Sequence, residues 1–193
     1  AAIAYDEEKV WNQLVDECWG RIGVAQAGAD GSVILDAGKL AAEPPAVARR
    51  VVRRALGLAR GGLSALEQAH VEAVLGLAAR RRGEGRVCLP GAMAERSFGW
   101  LRIAAGPAAA LPESPAPAGA VLRGWRPGDS FDGKPLRDVF QKRRVPRWER
   151  VRWPEAAAGG KLYWAAGLGL SAAGRAAGFP PYKADSGSAD LSI

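Results

Sequence analysis

Residues 44–60 read Pro44-Pro45-Ala46-Val47-Ala48-Arg49-Arg50-Val51-Val52-Arg53-Arg54-Ala55-Leu56-Gly57-Leu58-Ala59-Arg60, and this stretch decides how the first half of the chain folds. Proline is tolerated in the first turn of a helix, where its missing N–H has no intrahelical partner. The pair at 44–45 therefore opens a helix from about Ala46 to Arg60, and Gly61-Gly62 stop it. At about 100° per residue, Val47, Val51, Val52, Ala55, Leu56 and Leu58 fall on one side, with Arg49, Arg50, Arg53, Arg54 and Arg60 on the other. One face of this helix belongs to a core, and the opposite face is a row of arginines.

Toward the N-terminus, Val10, Leu14 and Cys18 recur at i, i+4 and i+8 beside Trp11 and Val15, which predicts an amphipathic helix over residues 5–19, and Asp30-Gly31 signals a turn. Toward the C-terminus, Ser64 with Glu67 three residues on has the form of a capping box, which predicts a third helix from Ser64 to about Arg82. His70, the single histidine, falls at the border of its apolar side and reads as a structural residue. Arg86–Leu89 and Ser97–Ile103 read as two strands of a hairpin.

The expected class is α+β: an N-terminal helical bundle-like domain over 1–105 ending in a β-hairpin, then a small α/β C-terminal domain. The stretch 106–119 is mostly Ala and Pro and reads as a linker. Residues 120–176 form the basic C-terminal domain, with Phe140 on a short helix begun near Pro135 and a strand over Leu162–Ala166. Residues 177–193 read as a flexible tail.

The chain has 193 residues, 27 Lys and Arg against 20 Asp and Glu, and a net charge of +7 that one histidine barely modulates. A permanent positive field favours a polyanionic partner, nucleic acid first. No apolar run approaches the ~20 residues that cross a bilayer. The early residues Asp6, Glu7 and Glu8 are unlike a signal sequence, so the reading is cytoplasmic, without a membrane partner. Cys18 and Cys88 match no metal spacing and read as two thiols packed in apolar surroundings.

Gly128-Asp-Ser-Phe-Asp-Gly133-Lys134 has the G-x-x-x-x-G-K spacing of a phosphate loop. However, Pro135 stands where a magnesium-holding hydroxyl belongs, and Asp129 and Asp132 put negative charge into the cradle, so it reads as a pair of turns. Gly167-Leu-Gly169-Leu follows a strand, but too little chain remains for a dinucleotide-binding unit. His70 has no partner base or nucleophile elbow. No catalytic, cofactor-binding or metal residue is assigned to this chain. Between Arg123 and Arg152, ten basic side chains face four acidic ones, with tryptophans interleaved, the composition of a phosphate-backbone site with scope for base or ribose stacking.

Four motifs then carry a resemblance: Arg123-Gly-Trp-Arg126-Pro-Gly128-Asp129, Leu136-Arg-Asp-Val-Phe140-Gln, Val145-Pro146-Arg147-Trp148-Glu149-Arg150, and Trp153-Pro154 with Trp164-Ala-Ala-Gly167-Leu-Gly169. In order and spacing they resemble the C-terminal domain of tRNA(Ile)-lysidine synthases. The helix at 44–60 with Leu63-Ser64 and His70-Val71-Glu72-Ala73-Val74-Leu75 resembles the helical domain that precedes it. The resemblance implies an enzyme that uses ATP to ligate lysine to the wobble cytidine of an isoleucine tRNA with a CAU anticodon, and a homodimer as one form of the protein. ATP and Mg belong to a family domain marked by Ser-Gly-Gly-x-Asp-Ser, a motif that does not occur in these residues, so this chain is expected to position tRNA and to hold no cofactor itself. Arg49, Arg50, Arg53 and Arg54, then Arg123, Arg126, Lys134, Arg137, Lys142, Arg143, Arg144, Arg147 and Arg150, are the expected tRNA contacts. Two rivals remain open: a helix-turn-helix-like DNA-binding regulator built on the second and third helices, and a module that binds acidic proteins.

Overall fold

A computed structural model describes residues 2–25 and 30–181. These divide into two compact units at the boundary between Pro107 and Ala108.

The first unit opens with α1 (Ala2–Ile22), which exceeds the expected 5–19, and the short strand β1 (Gly23–Ala25). After the turn at Asp30-Gly31 come β2 (Val33–Asp36) and α2 (Ala37–Ala42), whose first turn is capped by Asp36 accepting from the Lys39 N–H at 2.9 Å. Next is α3 (Pro45–Arg60), closed by Gly61 at φ 75° in the left-handed conformation that a residue without Cβ adopts freely. Then α4 (Gln68–Ala78) leads to β3 (Gly85–Leu89), β4 (Ala92–Ser97) and β5 (Trp100–Ala104).

The helices face a five-stranded antiparallel sheet of order β1-β2-β5-β4-β3, which is more than a bundle with one hairpin. The stretch 97–103, expected as one strand, reverses at Phe98, where φ is 56°, so that Ser97 pairs with Trp100 across a two-residue turn. The third helix begins later than expected. The chain turns at Ala65 (φ 60°), Glu67 takes the capping position in place of Ser64, and His70 Nδ1 accepts from the Glu67 N–H at 2.9 Å.

The apolar face of α3 (Val47, Val51, Val52, Ala55, Leu56) is buried with Cys18, Ile22, Leu35, Val74, Leu77, Leu101 and Ile103 in one core, while Leu58 is exposed. Burial pushes the Cys18 thiol up to about 11, and the neighbouring Glu43 adds to the effect. Cys88 corrects the expectation of two packed thiols: it lies on the outward side of β3, exposed and unpaired.

The second unit contains β6 (Ser114–Pro115), β7 (Val121–Gly124), the small hairpin β8 (Ser130–Phe131) and β9 (Lys134–Pro135), α5 (Leu136–Lys142), α6 (Arg147–Arg150), β10 (Pro154–Ala158), β11 (Lys161–Ala165), β12 (Gly169–Leu170) and α7 (Ala172–Ala176). Its main sheet has the order β12-β11-β10-β7-β6.

The stretch expected as a linker is partly built into this unit. Ser114 and Pro115 pair with Leu122 and Val121, and the Leu111 N–H donates to the Val151 carbonyl at 3.2 Å. Nor is the start of the expected tail loose, since Phe179 is buried against Tyr163 with ring centroids 6.0 Å apart; residues 182–193 lie outside the described part. Phe140, on α5 as expected, is wedged edge-on between Trp125 (5.5 Å) and Trp153 (5.3 Å) at the centre of the second core.

Candidate nucleic-acid interface

The arginine face of α3 is present, but most of it is engaged within its own unit. Arg49 meets Glu72 of α4 at 2.6 Å, Arg50 donates to both carboxylate oxygens of Glu8 at 2.8 and 3.2 Å, and Arg54 bonds Asp16. The Arg50 and Arg54 guanidiniums also lie over the Trp11 and Trp19 rings, 5.0 and 4.8 Å from the centroids. Arg53 is exposed and has no ion pair among the described residues. These pairs are solvent-exposed, a class in which each contributes about 0–1 kcal/mol and a competing anion can replace the carboxylate.

In the second unit the expected cations separate into two groups. Arg123 points inward, its side chain 12 % exposed, and donates through both terminal nitrogens to Asp129 at 2.8 Å each, with buried Glu155 at 3.4 Å. Burial pushes the Glu155 carboxyl up to about 9, and the Asp129 charge beside it acts in the same direction. Burial alone would raise Asp129 as well, but hydrogen bonds from Arg123, the Arg126 N–H and Glu155 hold it below the usual carboxylate range. Glu155 therefore carries its proton at neutral pH and shares it with Asp129.

Arg150 is also buried, its Nε donating to the Val145 carbonyl at 3.0 Å and its guanidinium lying over Phe140. Arg126 is exposed but engaged by Glu113. Arg123 and Arg150 are thus held mainly by their own unit, and they offer less of themselves to solvent than the other expected contacts do. The others, Lys134, Arg137, Lys142, Arg143, Arg144 and Arg147, are exposed in one short run of chain along β9, α5 and the start of α6, with Arg137 beside Asp138 at 3.4 Å and Arg143 donating to the Gly167 carbonyl at 3.2 Å.

The interleaved tryptophans are core and not stacking platforms for bases. Trp148, Trp153 and Trp164 are buried, and Trp125 is half-buried against Phe140. The exposed basic residues Arg80, Arg81, Arg82 and Arg86 are not among the expected contacts, and Asn12 beside the α3 arginines gave no signal of its own.

The phosphate-loop spacing at Gly128–Lys134 is a turn followed by the β8–β9 hairpin, and the Asp129 carboxylate, held by Arg123 and the Arg126 N–H, sits where phosphate oxygens would have to go. These residues do not fit a nucleotide. Among the described residues no cluster of three or more His, Cys, Asp or Glu could hold a metal ion, and no helix is long and apolar enough to cross a membrane.

Comparison with known proteins matches the units separately: residues 35–102 to the TilS substrate binding domain and residues 123–181 to the TilS substrate C-terminal domain. Among curated relatives, the tRNA(Ile)-lysidine synthase of Solibacter usitatus is 31 % identical over 230 aligned positions that take in 92 % of this chain and 51 % of that protein. The tRNA(Ile)-lysidine synthase of Geobacter sulfurreducens is 27 % identical over 86 % of this chain and 45 % of its own length. The chain spans about half the length of the curated relatives it matches. These two matches, over successive parts of the chain, together with the curated relatives, place this chain in the tRNA(Ile)-lysidine synthase family, with that family's substrate-binding and C-terminal domains.

Proposed function

We propose that this chain is the part of a tRNA(Ile)-lysidine synthase that holds the tRNA, while lysine ligation to the wobble cytidine is carried out with ATP and magnesium on residues outside these 193. The observation that carries the reading is the run of exposed cations from Lys134 to Arg147, left at the surface once Arg123 and Arg150 have turned inward. Such a surface neutralises phosphates without reading bases, so it sets the position of an RNA and leaves discrimination to shape or to a few edge contacts. Isoleucine tRNA with a CAU anticodon as the partner, a cytoplasmic location and a homodimer belong to the same reading.

The regulator reading is disfavoured by α4, the helix that would have to enter the major groove. Its exposed positions are Gln68, Ala69, Ala73 and Gly76, with no cation among them. Binding of isoleucine tRNA, an unrelated tRNA and duplex DNA across a salt series tests the proposal. Tighter binding to tRNA with a steep salt dependence is expected, and equal or tighter binding to duplex DNA would overturn it.

A further inference from the structure

Two copies of one arrangement stand side by side between α1 and α3. On α1, Glu8 and Trp11 are three residues apart, as are Asp16 and Trp19, eight positions further on. On α3, Arg50 and Arg54 are one turn apart. Each guanidinium lies over the ring of its tryptophan and turns its edge to its carboxylate, Arg50 to Glu8 and Arg54 to Asp16. Between the helices is an open groove of about 500 Å³ lined by Asn12, Val15, Asp16, Arg50, Arg53 and Arg54.

The chemistry of a guanidinium held in this way is specific. Its face is occupied by the indole, which fixes the plane, and its edge presents parallel N–H donors that suit a carboxylate and a phosphodiester equally well. Glu8 and Asp16 therefore occupy the acceptor positions that two phosphates would take. Arg53 lines the same groove, exposed and without an ion pair among the described residues.

We infer that the α1–α3 groove is an RNA phosphodiester site closed by its own carboxylates, in which Arg53 makes the first contact and Arg50 and Arg54 exchange Glu8 and Asp16 for phosphates while staying on their tryptophans. The inference rests on the tRNA-holding reading and adds to it a competitor built into the fold. Non-specific anions meet an already neutralised surface, and only a strand long enough to engage Arg53 and both pairs together displaces the carboxylates.

The experiment is a salt series of tRNA binding by the intact chain and three variants, each shown by circular dichroism to be folded. Glu8→Gln with Asp16→Asn is expected to bind several-fold tighter without a loss of salt slope. Asp6→Asn with Glu17→Gln removes the same charge from exposed positions of α1 that hold no α3 arginine and is expected to change affinity less than twofold. Arg53→Ala is expected to weaken binding and to lower the slope by about one unit. Failure of the unmodified chain to bind tRNA at low salt overturns the tRNA-holding reading and this inference together. Binding by the unmodified chain, with the Glu8/Asp16 variant no tighter than the Asp6/Glu17 variant or with Arg53→Ala unchanged, overturns the groove alone and leaves the basic run at 134–147 as the site.

Discussion

Arg123 faces Asp129 through two parallel N–H···O contacts of 2.8 Å, and the carboxyl of Glu155, wholly buried, completes the group from the neighbouring strand β10. The three residues tie β7, the 126–129 turn and β10 to one another in a largely buried group whose Glu155 carboxyl is wholly out of water, so its protonation state is coupled to folding.

Glu155 titrates from 4.5 when unfolded to about 9 when folded. Between those values the folded chain holds the extra proton, so the contribution to stability is complete below 4.5 and declines as pH rises toward 9. Glu155→Gln, which keeps a donor for Asp129 and cannot ionise, should flatten the melting temperature across that window and raise it at the alkaline end. A variant whose melting temperature falls with pH as steeply as that of the unmodified chain would refute the assignment.

Arg123→Ala should act as a folding mutation. Removing one member of a buried ion pair typically costs about 3–5 kcal/mol because the partner's charge is left uncompensated, and here Asp129 would remain with the Arg126 N–H and Glu155. Denaturant unfolding should report the loss. An unchanged midpoint combined with weakened tRNA binding would return Arg123 to the RNA surface.

Arg143→Ala with Arg144→Ala should leave the fold in place and weaken tRNA binding, with a salt slope smaller by roughly one to two units. Both side chains are exposed, and the Arg143 bond to the Gly167 carbonyl, at 3.2 Å, is also exposed and contributes little to stability. A folded variant with the original slope would remove these residues from the interface.

Gly124→Ala should destabilise the second unit. A Cβ at Gly124 would lie 1.9 Å from the Val151 carbonyl oxygen, a backbone atom that cannot swing aside, and 3.3 Å from the Leu111 nitrogen. Overpacking of this kind costs about 1–3 kcal/mol. A thermal melt within a degree of the unmodified chain would show that the β7 crossing is looser than its geometry states.

What could be read from the residues follows from how local each signal is. Helix α3 was legible nearly to its ends because proline, glycine and a sustained helical period all mark the same sixteen residues. β1 and β2, of three and four residues, are too short to display a period. The reversal at Phe98 was hidden because the turn uses an aromatic residue at positive φ where Asn or Gly is the usual marker. β10, written Pro-Glu-Ala-Ala-Ala, is a strand only because β7 and β11 hydrogen-bond it on either side, which no local propensity encodes.

The candidate site divides in the same way. Exposed Arg143 and buried Arg150 are the same residue type in one basic run, and only the packing of α6 against Phe140 separates a surface cation from a core one. Glu8 and Asp16 share a face of α1 by spacing alone, but their pairing with Arg50 and Arg54 depends on how two helices meet.

The two residues of β6 also determine where this protein can be cut. A C-terminal piece begun at Ala120 would look complete by composition, yet it would uncover the outer rim of β7, where Val121 is already exposed. An unprotected strand rim recruits further chains in solution, whereas a two-residue strand ending in proline offers them almost nothing to pair with. The alanine- and proline-rich stretch before β7 covers that rim, so a C-terminal piece begun at Ala108 should remain monodisperse where one begun at Ala120 aggregates.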